Sequence, residues 1–139
     1  MNKIPKNKTE KRKIGDIGEN LACRFLESKG YKIIGRNYLK PFGEIDIIVR
    51  KGKETVFIEV KSVTRVPLPE NLDNGTRVTG YRPEDNLHSW KLKRITRAIN
   101  SYLVENRIGE GDWRFDVVAV YLNPNTKQAK IEHMEGIVL

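Results

Sequence analysis

The sequence predicts an α/β fold in which helices cover a central mixed sheet, with elements in the order α-β-β-β-α-β-β. Two observations carry that prediction. Apolar residues recur at helical spacing in two separated windows, and they alternate with period two in the runs between and after them. Neither an internal repeat nor a domain boundary interrupts residues 14–139, which read as one domain behind a basic, flexible tail at 1–13.

Taken in order, Ile14 to Lys29 reads as the first helix, with Ile14, Ile17, Leu21, Ala22 and Phe25 on one stripe and Gly30 as its stop. Glu19 falls at the margin of that stripe. Gly15 and Gly18 are costly inside a helix unless another backbone comes close. Tyr31 to Leu39 reads as a strand, followed by the turn Pro41-Phe42-Gly43. Residues 64–86, with Pro67, Pro69, Gly75, Gly80 and Pro83, read as a long irregular loop, a kind that is usually functional or mobile. Leu87 to Arg107 is the second helix. Leu92, Ile95, Ile99, Tyr102 and Leu103 form its buried stripe, Lys93, Arg94 and Arg97 its far side, and Lys91 sits at the edge, within reach of the sheet. Gly109 and Gly111 end it; Arg114 to Leu122 and Lys130 to Met134 supply the last two strands.

The most informative stretch is GEIDIIVRKGKETVFIEVK, residues 43–61. Ile45, Ile47 and Val49 alternate, then Val56, Ile58 and Val60, and the Gly52-Lys53 loop between them suits a type II′ hairpin. That turn sets a register in which Asp46 faces Glu59, Glu44 faces Lys61 and Ile48 faces Phe57. The opposite face pairs Ile45 with Val60, Ile47 with Ile58 and Val49 with Val56, and is wholly apolar. Directly opposed like charges destabilise a sheet. Two carboxylates so placed can share a proton, accept from nearby donors, or hold a divalent cation through oxygen ligands. The plainer alternative is an edge hairpin with a wet polar face. Apolar residues on both faces favour cover on both sides, and hence a partly buried site.

Composition narrows the function. The 139 residues suffice for a single core, and 32% charged with 38% hydrophobic residues fits a water-exposed globular domain. Apolar runs fall well short of the ~20 residues of a membrane span, so no membrane partner is expected. Cys23 is the only cysteine, which excludes an intrachain disulfide or a multi-cysteine zinc site and makes the cytoplasm the default location. His88 and His133 read as ordinary surface or boundary residues rather than ligands. The net charge is +8, much of it in Lys3, Lys6, Lys8, Lys11, Arg12 and Lys13 and in Lys91, Lys93, Arg94 and Arg97. Such clusters favour a polyanion, because each neutralised phosphate releases counterions. A solvated tail and helix face would look the same in composition.

Read chemically, carboxylates of Asp46 and Glu59 on adjacent strands suit Mg²⁺, with the Val60 carbonyl as a further oxygen. Lys61 shares the face of Glu59 and can position or help deprotonate an attacking water. These residues occur within blocks that together resemble a known group. The blocks are G-x-x-G-E at Gly15–Glu19, G-Y-x-I-x-x-R-N at Gly30–Asn37, G-E-I-D at Gly43–Asp46, V-F-I-E-V-K at Val56–Lys61, Lys91 with Arg94, and R-F-D-V-V at Arg114–Val118. From Gly15 to about Tyr121 the chain resembles the PD-(D/E)XK nuclease superfamily, in its Holliday-junction-resolvase-like branch, and within it the YraN-like bacterial family.

The resemblance implies a restriction-endonuclease-like α/β/α core. It implies Asp46 and Glu59 as metal ligands, Lys61 as the catalytic lysine and Glu19 as an additional acidic active-site residue. The expected activity is Mg²⁺-dependent hydrolysis of phosphodiester bonds in DNA, branched or structured DNA included, with Mn²⁺ as a substitute. Lys91, Lys93, Arg94 and Arg97 are the expected nucleic-acid contacts, and a homodimer stays open. The competing expectation is a nuclease-fold protein that binds nucleic acid without cutting it.

Overall fold

A computed structural model describes residues 8–68 and 88–139. The expectations for the first seven residues of the tail and for most of the loop at 64–86 lie outside these described residues. The elements are α1 (Lys8–Ser28), β1 (Lys32–Lys40), β2 (Gly43–Lys51), β3 (Glu54–Thr64), α2 (Ser89–Glu105), β4 (Trp113–Leu122) and β5 (Ala129–Met134). They follow the expected order. The five strands form one sheet in sequence order, antiparallel except for the β3–β4 pair, which is parallel and bridged by the α2 crossover.

Alternation along the strands feeds two cores. On one face Ile48, Phe57, Phe115, Val117 and Ala119 pack under Ile95, Ala98 and Ile99 of α2. On the other, Ile47, Val49, Val56, Ile58, Val118 and Val120 pack under Ala22, Cys23 and Leu26 of α1. Each fully buried Ile or Phe contributes about 1.5–3 kcal/mol relative to exposure, so both helices are held chiefly by these layers. Of the stripe expected for α2, Ile95 and Ile99 are buried, joined by Ala98, and Leu92, Tyr102 and Leu103 pack half-buried beside them.

The first helix departs from expectation twice. It starts at Lys8 rather than Ile14, because Lys, Arg and Glu are good helix formers and continue the helix past its last apolar residue. Its buried line is Gly18, Ala22, Cys23 and Leu26, while Ile17 is 48% exposed. The reason is close packing. A Cβ on Gly18 would overlap the Ser62 hydroxyl of β3, so the helix rests on its small residues and its larger apolar ones flank the contact. At the other end, Tyr31 N–H donates to Leu26 C=O and Gly30 N–H to Glu27 C=O, which is the expected stop at Gly30.

Candidate active site

The β2–β3 hairpin keeps the expected register from Lys51↔Glu54 to Ile47↔Ile58 and then parts. Asp46 has no Cα partner in either neighbouring ladder, and Asn37, in the corresponding gap of β1, has φ +54°. Side chains change face across this point. Ile47 belongs to the α1 core, whereas Ile45 joins Ile48 in the α2 core. The expected Ile45–Val60 and Glu44–Lys61 pairs are therefore corrected, as is the direct ladder pairing of Asp46 with Glu59. In place of that pairing, Val60 N–H donates to Asp46 Oδ2 at 2.9 Å. A side chain closes the ladder where a backbone carbonyl otherwise would.

The parted strands open a cavity of about 670 Å³ whose lining includes Glu19 and Lys11 of α1, Asp46, Glu59, Val60 and Lys61 of the hairpin, and Lys91 of α2. Two tight contacts aim these groups. Gly18 lets α1 lie against Ser62, which delivers the next residue, Glu19. Gly43 admits the Arg94 carbonyl where a Cβ would overlap it, which brings the first turn of α2, with Lys91, over the start of β2. A methyl group at either glycine would push a helix, and its charged residue, away from the cavity.

Electrostatics inside the cavity are only partly balanced. Glu59 is 3% exposed, and its Oε2 meets Lys91 Nζ at 2.9 Å. Burial, and then the charge of Glu59 and a hydrogen bond to its carboxyl, push the Asp46 carboxyl up to about 7, against the pull of Val60 N–H and Lys91. Burial and the proximity of Asp46 also raise Glu19, although Arg36 donates to its Oε1 at 3.2 Å and to Asn20 Oδ1 at 2.9 Å. Burial opposes the charge on Lys91, but Glu59 outweighs it and raises the ammonium's pKa. Lys61 lines the same wall, and among the described residues no carboxylate pairs with it.

Glu19, Asp46, Glu59, Val60, Lys61 and Lys91 all line this one cavity. Lys93, Arg94 and Arg97 lie outside the cavity. Arg94 shares a small recess with Glu44 and Lys91, and Arg97 lines a separate hollow beside Phe42. Glu44 accordingly faces α2 rather than Lys61. The three acids do not converge into a single cage; among the described residues no group of three His, Cys, Asp or Glu side chains does. The donor set that suits a hard cation is the close pair Asp46 and Glu59, an all-oxygen set, with Val60 lining the cavity beside them.

Sequence reasoning missed two features. Arg36 orients Glu19; its signal was the R-N pair, whose second residue is the left-handed Asn37. His133 is not a surface or boundary residue, because its side chain is 1% exposed and its Nε2 lies 2.7 Å from Asp116 Oδ2. Its ring stands edge-on to Phe25 and Tyr31, on the α1 face of the sheet.

Comparison with known proteins places the chain. It belongs to the family described as "Uncharacterised protein family UPF0102", the YraN-like group, whose model matches residues 18–120. A relative from Alkaliphilus oremlandii, named only as a UPF0102 protein, is 42% identical over 129 residues, covering 90% of this chain and 97% of the relative. One from Corynebacterium efficiens is 37% identical, covering 94% of this chain and 95% of its own. One from Thermotoga maritima is 37% identical, covering 87% and 93%.

Proposed function

We propose that this UPF0102 chain is a metal-dependent endonuclease that hydrolyses phosphodiester bonds in DNA, branched or otherwise structured DNA included. One observation carries the reading. Asp46, Glu59 and Lys61 line one cavity with Glu19 and Lys91, and its carboxylates are short of positive charge, so that Asp46 keeps a proton up to about pH 7. A half-buried carboxyl with a strongly raised pKa, in a cleft beside a second acid and a lysine, is a pattern of functional sites. Similarity to the PD-(D/E)XK superfamily gives each residue a role in that pattern.

Asp46 and Glu59, with the Val60 carbonyl, would hold Mg²⁺ or Mn²⁺. Such an ion, when bound, makes its water more acidic and offsets charge on the scissile phosphate. The protein's own groups do the rest. Lys61, on the same face as Glu59, is placed to orient the attacking water or take up charge on the phosphate. Glu19, held by Arg36, adds a third acid, from α1. Lys93, Arg94 and Arg97 of α2, with the basic N-terminal segment, supply attraction for the polyanion outside the cavity. No helix among the described residues is long and apolar enough to cross a membrane.

The test is incubation of the pure protein with linear duplex, single-stranded and branched DNA, with and without Mg²⁺. Cleavage that needs the metal and falls by at least ~10²-fold in Lys61→Met, with DNA binding retained, is the expected result. Replacing Lys93, Arg94 and Arg97 by Ala should weaken binding to all sequences and flatten its salt dependence. Binding without cleavage of any substrate would transfer the assignment to a non-cutting nucleic-acid-binding protein.

A further inference from the structure

The cavity already contains a cation, and it belongs to the protein. Lys91 reaches from the first turn of α2 and sets its ammonium 2.9 Å from Oε2 of the nearly sealed Glu59. The Asp46 carboxyl is hydrogen-bonded to Glu59 and feels the charge of Lys91 as well. The ammonium thus binds an oxygen of the carboxylate pair that a divalent ion would need. Charge alone makes the two cations competitors for Glu59, and the bond to Lys91 must lengthen or break for a metal to coordinate that oxygen.

Lys91 is the accessible partner of the pair. Its side chain is 35% exposed, whereas that of Glu59 is 3% exposed, so solvent and ligands reach the lysine first. An ammonium on a four-carbon stem is a compact point charge that changes partners without the planar constraint of a guanidinium. A small recess adjoining Lys91, lined by Glu44, Trp90 and Arg94, lies toward α2 and gives the withdrawn stem somewhere to go. That direction leads toward the basic surface of α2, where a nucleic-acid phosphate would arrive.

We propose that Lys91 is the resident counter-ion of the Asp46–Glu59 pair and is exchanged for a divalent cation, which frees its ammonium to contact a substrate phosphate. This rests on the metal reading above and adds a role for a side chain outside the expected ligand set. The exchange means that the protein's affinity for metal is held down by its own lysine. It also couples the two binding events, because a phosphate that takes up the freed ammonium favours the metal-loaded arrangement.

Calorimetric titration of Mn²⁺ into DNA-free wild type, Lys91→Met and Lys91→Arg tests the exchange. Lys91→Met keeps the stem and removes the charge, and should bind Mn²⁺ at least ~10-fold more tightly than wild type, the ratio equivalent to one broken contact of about 1.4 kcal/mol. Lys91→Arg keeps the charge in a form that grips carboxylate with two parallel bonds, and should bind Mn²⁺ no better than wild type. The same Lys91→Met protein should cleave more slowly at saturating metal, so that affinity and rate move in opposite directions. Wild type that binds Mn²⁺ with Lys91→Met equal or weaker would overturn the exchange and leave the metal reading standing. Absence of Mn²⁺ binding in all three proteins would overturn the metal reading and the exchange with it.

Discussion

Two buried charge clusters sit on this sheet, and they are balanced in opposite ways. Beneath α1, Asp116 is fully buried and accepts from His133 Nε2 at 2.7 Å, Arg114 Nε at 2.9 Å and Gly136 N–H at 2.9 Å. Arg114 also reaches Glu54 and the Tyr31 hydroxyl, tying β3 and β4 to the segment between α1 and β1. Burial alone would raise Asp116, but the bonds from His133 and Arg114 outweigh it and hold the carboxyl below its ordinary range. In the cavity, by contrast, burial and Glu59 push Asp46 up to about 7. Asp116 has left water and Asp46 is half-buried. One received enough donors to stay ionised and the other did not. A saturated network fixes structure, whereas an unsaturated one retains capacity for a proton, a cation or a ligand.

The largest effect should come from breaking the saturated cluster. Asp116→Ala leaves the buried His133 Nε2 without its acceptor and breaks the Arg114 ion pair on β4, and should cost about 3–5 kcal/mol in denaturant unfolding. Asp116→Asn should cost less, since the amide oxygen still accepts. A loss under 1 kcal/mol for the alanine would mean that the network contributes little to the fold.

The next effect has the opposite sign. Asp46→Asn keeps an acceptor for Val60 N–H and removes one of two adjacent charges, so metal-free stability at pH 8 should rise by on the order of 2–4 kcal/mol. The pH profile separates the clusters further. Asp46 has a folded-state pKa above its unfolded value, so the folded protein holds the extra proton between about pH 4 and pH 7 and loses stability as pH rises through that window. Asp116 is depressed, so its contribution is present above the unfolded value and is lost as pH falls through the folded one. Asp46→Asn should flatten the neutral limb and leave the acid limb. The same neutral limb in both proteins would show that Asp46 is not the group responsible.

These two clusters also mark how far the sequence could be read. The hairpin was legible because the Gly52-Lys53 turn fixes a register and the side-chain period is two; five of its ladder pairs stand as expected, and the acids and lysine of the site lie together. The parting of the strands was not legible. A face change between Ile45 and Ile47 needs Asn37 in the left-handed region on the neighbouring strand, and alternation of apolar residues looks the same with or without it. The saturated cluster was hidden for another reason. His133, Asp116, Arg114 and Tyr31 come from two strands and the segment that follows α1, and each residue alone matches an ordinary surface or strand position. In α1 the small residues Gly18 and Ala22 carry the contact, so an apolar-stripe reading favoured Ile17, which is exposed.

The smallest expected effect concerns Arg36, the one described side chain that offsets Glu19. The pair is partly exposed, so Arg36→Ala should cost no more than about 1 kcal/mol of stability. It should nonetheless lower cleavage more than it lowers DNA binding, because it frees a cavity acid rather than a surface contact. Equal losses in both would reduce Arg36 to a binding residue.

Metal-dependent stabilisation tests the contrast between the two clusters most directly. Thermal unfolding of wild type, Asp46→Asn and Asp116→Asn should be followed at pH 7.5 with and without Mn²⁺. An ion that binds only the folded state adds about 2.7 kcal/mol at a hundred times its Kd. Wild type and Asp116→Asn should show the same upward shift in Tm, and Asp46→Asn should lose it while starting from a higher metal-free Tm. An equal shift in all three proteins would place the cation away from Asp46 and contradict the account.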